Sequence, residues 1–71
     1  MKRYLIVIED AGRNFSAYAP DLPGCIATGA TVEEVKQRMQ EAIEFHLEGL
    51  KEDGIEPPEP TRTVVDYVTA R

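Results

Sequence analysis

The sequence predicts a two-layer α+β fold of order β-β-β-α-β, with one long helix on one face of a four-stranded mixed sheet. Three observations carry that expectation. Short runs rich in Leu, Ile, Val and aromatic residues are separated by clusters of Gly, Pro, Asp and Asn. A single central stretch has apolar residues at three- and four-residue spacing, and a β-branched segment follows a proline cluster near the end. The 71 residues suit one domain spanning 1–71. A fold of this size removes only about 60% of its extended-chain surface from water, so self-association is expected.

Arg3 to Glu9 forms the first β-prone run, and Asp10-Ala11-Gly12-Arg13 is a turn signal leading to a second at Asn14 to Ala19. Together they read as an antiparallel hairpin. Pro20, Asp21, Pro23 and Gly24 then make another turn. Each proline presets φ at its own position, the glycine accepts the positive φ of a type II turn, and Asp21 has the side chain for an Asx-type turn. Cys25 to Gly29 is the third strand.

Thr31-Val32-Glu33-Glu34 has capping-box spacing, with the Thr31 hydroxyl available to a free N–H of the first turn and Glu34 reaching back. From there Val32, Val35, Met39, Ala42, Ile43, His46, Leu47 and Leu50 mark an apolar stripe, and Glu33, Lys36, Gln40, Glu41, Glu44, Glu48 and Lys51 fall mostly opposite. Asp53-Gly54 supplies the stop, and Pro57, Pro58 and Pro60 exclude continuation. Thr61 to Thr69 then reads as a last strand. A helical crossover from the third strand places that last strand parallel to the first, giving a sheet order of 3-2-1-4. One helix covers one face only. Tyr18, Val65 and Tyr67 are candidates for an apolar centre on the other face, and the third strand, beginning Cys25-Ile26, forms a free edge.

Charge sharpens this picture. Residues 31–56 hold eight acids against three bases, a balance equal to the whole net charge of −5. An acidic surface repels a phosphate backbone, so direct nucleic-acid binding is disfavoured and a basic protein partner is favoured, with Glu41 and Glu48 as candidate contacts. One cysteine closes no internal disulfide, no secretory leader pattern opens the chain, and the longest apolar run, Tyr4 to Ile8, falls far short of a membrane span. The expectation is a soluble cytoplasmic protein with no membrane contact.

Catalytic chemistry finds little to work with. Cys25 becomes a nucleophile only if His46, the sole histidine, lies beside it and lowers its pKa; a small thiol opening a strand is otherwise a packing residue. His46 falls on the apolar stripe, either as a packed neutral imidazole or as a pH-sensitive or partner-contacting group at the rim. No CxxC or HxxxH spacing occurs, and neither a metal nor a cofactor is expected. A metal-dependent ribonuclease would need Asp10, Asp21 and Glu41 to converge. The simpler reading gives the aspartates to turns and the glutamates to a solvated face.

The stretches P-D-L-P-G-C-I-A-T-G-A-T-V-E-E-V and E-A-I-E-F-H-L-E-G-L-K-E-D-G-I-E-P-P-E-P, in this order and spacing, resemble the HicB-like antitoxin family from about Lys2 to Val68. The resemblance implies a domain like a truncated ribonuclease H fold without a nuclease site, which binds and blocks a small basic HicA-like RNA-cleaving toxin. It also implies that Pro20, Asp21, Pro23, Gly24, Thr31, Glu34, His46 and Gly54 are largely structural signature positions. Family antitoxins often carry a C-terminal DNA-binding module, and residues 1–71 hold no segment for one. The sequence reading is thus a non-enzymatic binder and a homodimer or higher oligomer, with an orphan self-associating domain as the alternative.

Overall fold

A computed structural model describes residues 2–71. Three strands, β1 (Val7–Asp10), β2 (Phe15–Tyr18) and β3 (Ile26–Gly29), precede one helix, α1 (Val32–Glu52). The sheet is antiparallel throughout, in the order β1-β2-β3. Val7 faces Tyr18 and Tyr18 faces Ile26 across it; the next row is Ile8, Ala17 and Ala27. Because side chains alternate between faces, the second row turns toward the helix and the first turns away.

Local chemistry accounts for each connection. In the first turn Ala11 N–H donates to Asn14 O at 2.8 Å and Gly12 N–H to Asp10 Oδ1 at 2.9 Å. The second connection is two β-turns in succession, each with proline in its second position: Leu22 N–H donates to Ala19 O, and Cys25 N–H to Leu22 O, both at 3.0 Å. Gly24 takes φ +85°, the type II value that a side chain disfavours. Thr31 caps the helix by accepting Glu34 N–H at 3.1 Å, while Glu34 Oε1 accepts from Ala30 N–H at 3.3 Å. The reciprocal cap therefore reaches one residue further back than the motif requires. At the other end Gly54 N–H bonds Lys51 O and Ile55 N–H bonds Leu50 O, the paired bonds of a Schellman stop.

Helix α1 lies over β3 and β2. Ala17, Ala19, Leu22, Cys25, Val35 and Met39 are buried between the layers, and Tyr4, Ile6, Ile8, Phe15, Ile43 and Leu47 flank them. None of the helices described is long and apolar enough to cross a membrane.

The fourth strand is absent, which corrects the expected four-stranded mixed sheet of order 3-2-1-4. Residues 61–71 form no strand and are exposed along their length, so β1 is an edge of a three-stranded sheet instead of lying inside it. The reason is the route after the helix. Pro57, Pro58 and Pro60 restrict the backbone and remove three N–H donors. Contacts then hold this linker low on the body: Tyr4 OH donates to Pro58 O at 2.7 Å, and Lys2 pairs with Glu59 at 3.0 Å. Asp21 takes both the N–H and the hydroxyl of Thr61. The chain thus leaves the body beside the β2–β3 connection, and Val65 and Tyr67 stand on a projecting arm instead of on the sheet.

Candidate functional site

The outward ridge of α1 collects one set of candidates. Glu41, Phe45, Glu48 and Glu52 follow one another at i, i+4, i+7 and i+11, a spacing that places them in line, and all four are exposed. Phe45 is 71% exposed, a large aromatic bracketed by carboxylates. It escapes a stripe-based reading of the helix because it is out of phase with the core positions. Its signal in the sequence is that same mismatch, an aromatic among glutamates.

Below that ridge, on the β3 side, lies a groove of about 460 Å³. Gly24, Cys25, Ile26, Phe45, His46 and Leu50 contribute to its walls. The structure thus brings Cys25, Ile26 and His46 to one concavity. Ile26 borders it at the free edge of β3 and is 70% exposed, with its side chain in the row that turns away from the helix. Tyr18, next to Ile26 across the sheet, is on the opposite face from the helix and partly exposed. Glu41 and Glu48 belong to the ridge, whereas Val65 and Tyr67 stand apart on the arm.

Cys25 is buried, and loss of hydration pushes its thiol pKa up. A raised pKa leaves less thiolate at neutral pH, the opposite of what a nucleophile requires. Iodoacetamide is therefore expected to label Cys25 in the native chain about tenfold or more slowly than in the denaturant-unfolded chain at the same pH. Equal rates, followed by mass spectrometry, would remove the packing role.

The carboxylates of the nuclease alternative serve other ends. Asp10 closes the first turn, and Glu41 stands on the helix ridge. Asp21 anchors Thr61, whose hydroxyl and then its N–H favour the charged carboxylate and lower its pKa. Among the described residues, no group of three or more His, Cys, Asp or Glu side chains is placed to hold a metal ion.

Comparison with known proteins decides the family. Residues 4–71 match the family described as HicB_like antitoxin of bacterial toxin-antitoxin system. The chain belongs to the HicB-like antitoxin family. A UPF0150 protein of Archaeoglobus fulgidus is 36% identical over 56 residues, covering 76% of this chain and 81% of that protein. A UPF0150 protein of Helicobacter pylori is 38% identical over 47 residues, covering 66% and 65% respectively. A Haemophilus phage HP1 protein, known as an uncharacterized 14.9 kDa protein in the rep-hol intergenic region, is 42% identical over 55 residues. That match covers 78% of this HicB-like chain and 41% of the phage protein. No solved structure matches the chain. The family description is that of the antitoxin of a bacterial toxin-antitoxin system, and the chain spans less than half the length of its phage relative.

Proposed function

We propose that this HicB-like chain is a cytoplasmic protein that binds a small basic RNA-cleaving toxin of the HicA-like kind and covers its working surface. The observation that carries the reading is the ridge of Glu41, Phe45, Glu48 and Glu52 beside the Ile26–Leu50 groove. An exposed aromatic ringed by carboxylates suits a basic partner with an apolar centre, because charge guides the encounter and the buried anchor supplies most of the affinity. The same acidity opposes contact with nucleic acid by these residues. The edges of β1 and β3 support a second part of the proposal, that the chain self-associates.

Co-expression with the product of any small basic reading frame adjacent to its gene tests the reading. A stable complex and restored growth of toxin-expressing cells are expected, with Phe45→Ala weakening the complex about tenfold or more and Glu48→Lys slowing association. No complex at micromolar concentration, together with no rescue of growth, would reject it.

A further inference from the structure

We infer that the C-terminal arm, residues 62–68, is an exchange strand: it pairs with the free edge of β1 on a second copy of the chain and fills the groove between that edge and α1. This inference rests on the self-association reading and specifies how the copies join.

Three features converge on it. The first is the arm. Its Val64, Val65, Tyr67 and Val68 are 93, 68, 94 and 93% exposed, yet the segment is β-branched and aromatic, a composition that suits a pleated, half-buried surface. Val65 and Tyr67 alternate with Val64, Asp66 and Val68, so one side of an extended arm is apolar and the other is interrupted by a carboxylate.

The second is the receptor. On the β1 side of α1 a groove of about 500 Å³ is lined by Tyr4, Ile6, Lys36, Gln40, Ile43 and Glu44 among others. Its apolar lining is Tyr4, Ile6, Met39 and Ile43, and Ile6 leads directly into β1, whose outer backbone edge has no neighbouring strand. An added strand would satisfy that edge and place alternate side chains over Ile6 and Ile43.

The third is the root of the arm. Thr61 is held by both carboxylate oxygens of Asp21, so the arm starts from a fixed point and points off the body. The chain's greatest extent is accordingly 48 Å against 26 and 19 Å in the other directions. Charge does not oppose the pairing, since Arg62 and Asp66 balance one another within the arm. Two-fold exchange buries two arms and two grooves. Stable interfaces bury roughly 1,200–2,000 Å², and counting both arms with both grooves doubles what one arm alone would bury toward that range. Phe45 and the Ile26 groove lie on the other flank of α1 and stay free for another partner, whereas Glu41 also borders the receptor groove.

Sedimentation and amide exchange on the full chain test the inference. The wild-type chain should sediment at twice its 7.9 kDa mass. Amides of residues 63–68 should exchange about 100-fold or more slowly than in a free peptide, with protection lost on dilution. Val65→Pro, which removes a pairing N–H, and Tyr67→Asp should each raise the dimer dissociation constant about 30-fold or more while leaving the helical circular dichroism intact. A wild-type dimer whose arm amides exchange freely, or one that both variants preserve, overturns arm exchange and leaves self-association standing. A wild-type monomer at 100 µM, a concentration roughly a hundredfold above a micromolar dissociation constant, overturns both. The toxin-binding reading is judged separately by co-expression.

Discussion

Leu22→Ala is expected to lower the unfolding free energy by about 2–5 kcal/mol, measured by urea titration of the helical circular dichroism. Leu22 is 1% exposed although it sits in the middle of a surface connection. The two consecutive turns around it explain how. Its N–H closes the first turn on Ala19 and its carbonyl closes the second on Cys25, so the backbone is fixed and the side chain is directed under α1. There it joins Ala17, Ala19, Cys25, Val35 and Met39. Three of these neighbours are small residues that cannot swing in to fill a void, so most of the lost volume persists as a cavity. A domain of 71 residues has only about 4–10 kcal/mol of stability in total, so the variant should be partly unfolded at 37 °C. Leu22→Met keeps the volume and should lose less than about 1.5 kcal/mol. A loss below about 1 kcal/mol for the alanine variant would show that Leu22 does not close the core.

That residue also marks where sequence reading reaches its limit. Pro20, Pro23 and Gly24 announce their turns because turn chemistry is local: fixed φ at the prolines and a positive φ at the glycine need no distant partner. Thr31 with Glu34 and Asp53 with Gly54 announce the two helix ends for the same reason. Leu22 stands alone among turn formers, with no periodic neighbours to mark it as core. Phe45 is similarly hidden, since the helix period assigns it to the solvated side while its chemistry suits a partner. The arm shows the limit most directly. The β propensity of residues 63–68 is visible in their composition, but the strand they join, and on which copy, depends on where Asp21 and three prolines lead the chain. The acidic site residues Glu41 and Glu48 were legible as charge, whereas their alignment with Phe45 on one ridge required the helix register.

Gly29→Ala is expected to destabilise the fold by about 1–3 kcal/mol, for a reason unrelated to flexibility. Gly29 ends β3 at a point where the sheet meets the first turn of α1. A Cβ there would lie 2.8 Å from Val35 N, 3.0 Å from Val35 Cα and 3.2 Å from Glu34 C. All three are backbone atoms, so no side chain can rotate away and the helix start itself must shift. Val35 N–H is already committed to Thr31 O at 3.0 Å, and Val35 is fully buried, which ties that shift to both the cap and the core. Gly49→Ala is the matching control. Its Cβ would meet nothing within 4 Å, and alanine is favoured over glycine inside a helix by about 0.5–1 kcal/mol, so this variant should gain stability. Opposite signs for the two glycines, read from the same denaturant titration, would establish that backbone contact between β3 and α1 selects glycine at position 29. A neutral Gly29→Ala would place the helix farther from the sheet than this packing requires.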